Sequence, residues 1–378
     1  MKEAIKNSDF KWILLNFVLL LIAVLAARVF HKIFTRIKEY YKINTKTNLW
    51  VPSIVIGALV MPFTLPFCIV IIHFLVIILV FDLVATILRK ITGKEFKLLY
   101  SGIPALVVAS IISIYGILNF LIVIPHEYVI ESDKVKTNHT IVYVSDIHGP
   151  LMPDFLFEKY MQKISDLNAD MVILGGDITD EFTSKEQMKR TYKTIGKINT
   201  EDGIYFIYGN HDRDKYSDSI KYSKLELDDT ILNNGIRIMQ DSVYRVDDEL
   251  TLICREDGGT EGKDRKNMNE LLKNVDPKTF VIVAEHEPDS YKEVSIDPVD
   301  LYLCGHTHAG QMVPIGLYYR LFKKTFNTGR HKYNNTDVII TSGFGTWALP
   351  FRTEFHSEYM IIRIKPKSTI IRFMILCH

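Results

Sequence analysis

Carboxylates, imidazoles and one carboxamide recur in this sequence at the ends of apolar runs. Asp146 and His148 close Ile141-Val-Tyr-Val-Ser-Asp146-Ile-His148, and Asp177 closes Met171-Val-Ile-Leu-Gly-Gly-Asp177. Asn210, His211 and Asp212 follow Ile204-Tyr-Phe-Ile-Tyr-Gly, His286 closes Phe280-Val-Ile-Val-Ala-Glu-His286, and His306 and His308 close Leu301-Tyr-Leu-Cys-Gly-His306-Thr-His308. An apolar strand ending in such groups delivers metal ligands from its carboxyl end. Taken singly, Asp-x-His is a surface or capping feature and Gly-Gly-Asp a turn; His-x-His, whose two rings share one face of a strand, says more, and Gly-Asn-His-Asp is the most specific piece. Their joint occurrence, in order and each at a strand end, makes a metal site the reading. Asn210 beside histidines calls for mixed oxygen and nitrogen donors. Asp146, Asp177, Asn210 and the histidines are too many for one tetrahedral ion, so two divalent ions sharing a carboxylate are implied.

The elements that must position these groups alternate. After the first strand, 153–167 has helical periodicity, with Phe157, Tyr160, Met161 and Ile164 on one face. The segment 184–198 opens with Ser184-x-x-Gln187, a capping-box pattern, and reads as the next helix. Asp146, Asp177 and Asn210 therefore recur at about one βα unit each, as expected of parallel neighbours sharing a ligand edge. Further on, 217–232 and 263–274 read as helices, and 236–239, 243–246 and 251–254 as short strands continuing antiparallel. Beyond His308 a long stretch to Asn335 is rich in Gly, Tyr and Lys, and strands are expected after it at 338–341 and 359–364. Asp180 and Glu181 read as a helix start, Asp212 alternatively as a cap, and His331 and His356 as surface residues. No internal repeat or low-complexity segment is present.

Upstream, the composition changes. Segments 10–30, 49–62, 66–88 and 100–124 are apolar and read as about four transmembrane spans, the second and third joined by a turn at Pro62 and Pro66. The first is read as a retained helix, since no small-x-small cleavage site follows it. Lys32, Arg36, Lys38, Lys42 and Lys46 follow the first span, and Arg89, Lys90, Lys94 and Lys97 precede the last. With four spans both basic loops share one side, which the positive-inside rule makes cytoplasmic, so the later domain faces outward. The expected domains are 1–126, transmembrane, and 127–378, α/β. His73 and Asp82, nine residues apart, fall on opposite helix faces and read as polar contacts between spans. A formal charge of +1 over 378 residues excludes bulk nucleic-acid binding, and Cys68, Cys254, Cys304 and Cys377 have no disulfide or zinc-knuckle spacing.

The blocks Asp146-Ile-His148, Gly176-Asp177, Gly209-Asn210-His211-Asp212, Ala284-Glu-His286 and Gly305-His306-Thr-His308-Ala-Gly-Gln311 together resemble the calcineurin-like metallophosphoesterases. Gly343-x-Gly345 and Leu349-Pro-x-Arg352 are similar to the membrane-attached bacterial branch. The resemblance covers about 140–364 and implies a four-layer α/β/β/α sandwich after the N-terminal helical transmembrane region. It further implies that Asp146, His148, Asp177 and His308 hold one ion and Asp177, Asn210, His286 and His306 the other, with manganese, zinc or iron the expected metals. His211 would be the catalytic histidine, oriented by Asp212. Ala309, where the branch usually has glycine, and Glu285, where a smaller residue is common, depart from the pattern and bear on substrate fit.

At such a site two divalent ions ~3.5–4 Å apart lower the pKa of a bridging water and neutralise phosphate oxygens. Hydroxide attacks phosphorus in line, while His211 either stabilises the transition state or protonates the leaving oxygen. The expectation is a membrane-anchored phosphohydrolase of the cell membrane, its substrate a phosphoester; the alternative is a catalytically idle metal-binding module in a membrane signalling or transport assembly. Gly316-Leu-Tyr-Tyr-Arg-Leu-Phe-Lys-Lys-Thr-Phe326 interleaves rings and cations. It suits a membrane interface, which would favour a lipid or cell-envelope phosphodiester, or equally a solvated loop packed on the domain.

Overall fold

The structure, a computed structural model, describes residues 2–44, 48–58, 65–212, 221–258, 265–296, 298–323 and 326–367. Two compact units divide at Gly116/Ile117. In the first, α1 spans Lys2–Tyr40, α2 Trp50–Ala58, α3 Leu65–Thr92 and α4 Lys97–Ser101, while α5 (Ile103–Leu121) runs past the division. Two stretches among the described residues, Ile71–Thr92 and Ile103–Leu121, are long and apolar enough to cross a membrane. Of the expected span at 49–62, α2 covers the nine residues Trp50–Ala58, and 59–62 lie outside the described residues. The turn expected at Pro62 and the cation Lys46 lie outside the described residues, as does Cys377. Pro66 is the second residue of α3, where a missing N–H costs nothing.

A correction concerns the first basic cluster. Lys32, Arg36 and Lys38 are not in a loop but on the 39-residue α1. Asp82 of α3 takes Lys32 Nζ at 2.6 Å and also pairs with Arg36. A carboxylate in an apolar helix is costly unless paired, and these cations supply the pairing.

In the second unit two sheets stack. The first has the order β1 (Val123–Ser132), β12 (Ser357–Pro366), β2 (His139–Val144), β3 (Met171–Leu174), β4 (Gly203–Phe206), β5 (Ile236–Ile238). The second runs β10 (Gly329–Tyr333), β11 (Thr336–Ile340), β9 (Val299–Cys304), β8 (Phe280–Ala284), β7 (Leu250–Cys254), β6 (Ser242–Arg245). From β2 to β5 the pairing is parallel, as it is from β7 through β8 and β9 to β11. Parallel strands are covered on both faces, which is why these runs are apolar throughout.

Alternation sorts their side chains. Ile141, Tyr143, Ile173 and Tyr205 point inward to meet Leu252, Ile282 and Leu303 of the other sheet. Val142, Val144, Val172 and Leu174 point outward onto α6 (Asp154–Ser165), α7 (Lys185–Ile195) and α8 (Lys224–Asn233). On the far side, Ile253, Val281 and Tyr302 pack on Met268 and Leu271 of α9 (Met268–Leu272). The result is the four-layer α/β/β/α arrangement. Ser184 caps α7 through Gln187 N–H and Ser223 forms a full capping box on α8; the part of the helix expected at 217–232 that covers 217–220 is outside the described residues.

Candidate metal centre

The parallel strands of both sheets end at one edge, and the chain leaves them in a strained way. Asp146, His148, Asp177, His306 and His308 have φ of 59°, 56°, 52°, 68° and 49°. Left-handed backbone costs a non-glycine residue roughly 1–2 kcal/mol, so five instances at one edge mark a candidate functional site. Each turn is held from the neighbouring strand: Asp146 N–H donates to Gly176 O at 3.0 Å and Gly305 N–H to His286 O at 2.9 Å. The motif glycines leave room for ligands. A Cβ on Gly209 would lie 2.2 Å from Asp177 Oδ1, and one on Gly176 2.7 Å from His286 Nδ1.

The seven sequence-predicted donors converge as two groups. In Asp146, His148 and His308, and again in Asp177, His286 and His306, the ligand atoms lie within 4.8 Å of one another. Asn210 joins the second group through Oδ1, which is 3.0 Å from His286 Nε2 and 2.9 Å from His306 Nδ1. Asp177 stands between the groups, with Oδ2 3.0 Å from His286 Nε2 and 3.7 Å from His148 Nε2.

One contact decides what this set accepts. His286 Nδ1 donates to Gly175 O at 2.9 Å, which leaves Nε2 as the bare nitrogen of the neutral ring. That lone pair faces two more acceptors, Asp177 Oδ2 and Asn210 Oδ1, both at 3.0 Å. Three acceptors pointing at one another require a cation. Burial opposes charge on His286, yet Asp177 outweighs it and lifts the imidazole well above its usual range, so without metal a proton fills the place. Burial, with His286 beside it, pushes His306 down to about 4, and burial with His148 and Arg352 holds His308 well below the ordinary range. Neutral imidazoles are metal ligands, so the residues present fit divalent ions. Binding must then expel the His286 proton. Calorimetric titration of manganese in buffers of different ionisation enthalpy should show net proton release and tighter binding as pH rises; buffer-independent heats would contradict it.

Around the ligands the structure adds residues that the sequence reading missed or misplaced. His148 Nδ1 lies 3.6 Å from Asp180 Oδ2, and His211 Nδ1 2.8 Å from Glu181 Oε2. Burial raises Glu181, but its bond to His211 prevails and keeps the carboxyl below its usual range. Trp347 Nε1 donates to Glu181 Oε1 at 3.3 Å. Asp180 and Glu181 therefore do not start a helix; Glu181 holds His211 and Asp180 faces His148, and the only hint in sequence is their closeness to Asp177.

Asp212, expected against His211, does something else. Its buried carboxylate accepts the N–H groups of Asp177, Ile178, Thr179 and Gly209 at 2.7, 2.9, 3.0 and 2.8 Å. It thus clamps the Asp177 turn to the Asn210 turn. His211 N–H completes the tie, donating to Asp177 Oδ1 at 2.8 Å.

The later motif also gains a role. Buried Arg352 donates to Ser342 O and Gly345 O, each at 2.7 Å, and so closes the loop after β11. Gly343 in that loop has φ +89° and would place a Cβ 2.9 Å from Asp146 Cβ. Of the two departures, Ala309 has φ +52°, so glycine there would relieve strain. Glu285 is fully buried and pairs with Arg255 at 3.0 Å and with Arg265; it belongs to an ion-pair cluster of the second sheet.

Residues 139–310 match the model of the calcineurin-like phosphoesterases, so the chain carries a domain of that family. An uncharacterized metallophosphoesterase of Helicobacter pylori strain J99 is 28% identical over 245 residues, covering 62% of this chain and 62% of that protein. A second, from Aquifex aeolicus, is 26% identical over 278 residues, 69% of this chain and 98% of that protein. A zebrafish (Danio rerio) protein named "Transmembrane protein with metallophosphoesterase domain" is 26% identical over 283 residues, 69% and 62%. The chain thus spans less than two thirds of the Helicobacter and zebrafish proteins.

Proposed function

We propose that this is a metal-dependent phosphoesterase held at a membrane, with two divalent ions, manganese, zinc or iron, bound side by side. Asp146, His148, Asp177 and His308 hold one, and Asp177, Asn210, His286 and His306 the other, Asp177 being shared. The observation that carries the reading is His286 Nε2 facing the oxygens of Asp177 and Asn210 at 3.0 Å, a place that calls for a cation. The chemistry that divalent ions supply at such a site is activation of water and neutralisation of phosphate charge. His211 is the catalytic residue: its ring centroid lies 5.1 Å from that of His148 and its Nδ1 is fixed by Glu181. From there it donates a proton to the leaving oxygen or a hydrogen bond to the phosphoryl group. The cations at the end of α3 and before α5, Arg89, Lys90, Lys94 and Lys97, favour a cytoplasmic loop there and a domain outside the cytoplasm.

For substrate we favour an amphiphilic phosphodiester of lipid or cell-envelope type. Directly after the His308 turn, Leu317, Tyr318, Leu321 and Phe322 are exposed by 47%, 51%, 59% and 71%. This apolar ridge is held in place by Glu354, which accepts Gly316 N–H at 2.7 Å and Arg320 Nη2 at 3.0 Å. Rings and aliphatics so presented suit a lipid surface. The test uses the full-length chain in detergent with added manganese. Hydrolysis of bis-p-nitrophenyl phosphate should be abolished by Asn210→Ala, and activity retained in that variant would sink the esterase reading. Replacing Tyr318 and Phe322 by serine should cut turnover of micellar phospholipid roughly tenfold while sparing the soluble diester; equal loss on both would reject the lipid substrate.

A further inference from the structure

Away from this centre, on the outer edge of the first sheet, three more donors meet. His126 comes from β1, the edge strand, Glu358 from the start of β12 beside it, and His356 from the residue just before β12. His126 Nδ1 is 3.1 Å from Glu358 Oε2 and His356 Nε2 is 3.7 Å from the same oxygen; all three ligand atoms lie within 4.8 Å of one another. Tetrahedral zinc, with bonds of ~2.0–2.2 Å, sets its ligands roughly 3.3–3.5 Å apart, which these separations bracket. The sequence reading placed His356 on the surface; its ring is partly exposed and also faces a buried carboxylate.

We propose that His126, His356 and Glu358 form a separate, mononuclear site for a zinc-class divalent ion, with an open position toward solvent. Two imidazoles and one carboxylate suit zinc or cobalt rather than calcium or magnesium. The carboxylate is prepared for the role. Its Oε1 is tied down by Ser342 N–H at 2.7 Å and Thr341 Oγ1 at 3.1 Å, while Oε2 faces the two rings. Orientation of a ligand by such outer hydrogen bonds is typical of metal sites. Glu358 side-chain exposure is only 4%, and among the ion pairs of the described residues its partners are these two histidines. The His356 backbone is fixed as well, its carbonyl accepting Ser342 Oγ at 2.6 Å and Arg352 Nη1 at 3.2 Å. His126 and His356 are 47% and 34% exposed, so an ion reaches them from solvent. Glu358 N–H also donates to Gly343 O at 2.9 Å, so an ion held here braces the loop that rests on Asp146.

The experiment counts zinc. The full-length chain in detergent is stripped with chelator, dialysed against micromolar free zinc, and assayed for zinc per chain beside His126→Gln and His356→Gln. Each variant should hold one equivalent less than the parent; parental zinc content in either overturns the proposal. Because both rings are partly exposed, the variants should melt like the parent in excess chelator. Cobalt gives a second readout on the same proteins: the visible absorption of a tetrahedral three-ligand site should be missing from His126→Gln, and an unchanged spectrum likewise rejects the site.

Discussion

His211→Ala should lower kcat for bis-p-nitrophenyl phosphate by roughly 10²–10⁴-fold, the range of a lost proton-transfer residue, while the metal content stays that of the parent. The split follows from geometry. His211 has its Nδ1 on Glu181 at 2.8 Å and its ring beside, not among, the seven converging donors. Glu181→Gln, which keeps a hydrogen-bonding group but removes the charge, should cost ~10–100-fold, the usual effect of a residue that orients another. Assays of metal per chain with kcat and KM on the same preparations decide the matter. Loss of metal in His211→Ala would move this residue into the ligand set and remove its assigned role.

The other large effect is on stability. Asp212→Ala removes the acceptor of four buried N–H groups, those of Asp177, Ile178, Thr179 and Gly209. Orphaned buried donors cost about 1–3 kcal/mol each, and partial relaxation of two turns leaves an expected loss of about 3–5 kcal/mol. Asp212→Asn should recover part of this, because its one carbonyl oxygen still accepts. Denaturant unfolding of the metal-free chain, followed by fluorescence, measures both variants. A loss below ~1 kcal/mol for the alanine variant would show that the clamp holds nothing.

The donors were legible in the sequence because parallel strands buried on both faces make uninterrupted apolar runs, and a ligand at the end of such a run stands out. Asp146, Asp177, Asn210, His286 and His306 could be read that way. Glu181 and Asp180 could not: they act on histidines from a turn with no periodicity, and helix-start composition mimics their position. Two strands were hidden for different reasons. β1 begins at Val123, inside what reads as the end of an apolar span, and carries Pro125, which is tolerated because β1 lies at the sheet edge. β10 holds Arg330, His331 and Lys332 and pairs with β11 across Asn334 and Asn335, so its polarity conceals the hairpin. The Asp82 partners were missed because cations after an apolar run suggest a loop, whereas α1 continues through them.

The place of β12 between β1 and β2 has a consequence for how the domain is made. It follows every other described strand in the chain, yet pairs parallel with β1 and antiparallel with β2. During synthesis, β1 therefore emerges first and waits for its neighbour until the whole of the second sheet has been produced. A stop codon just before Ser357 would remove one strand and disconnect another, and would take Glu358 from behind the loop on Asp146. Ribosome-stalled chains ending before that point should stay protease-sensitive throughout β1, whereas longer chains from which β12 has emerged should be resistant in both strands.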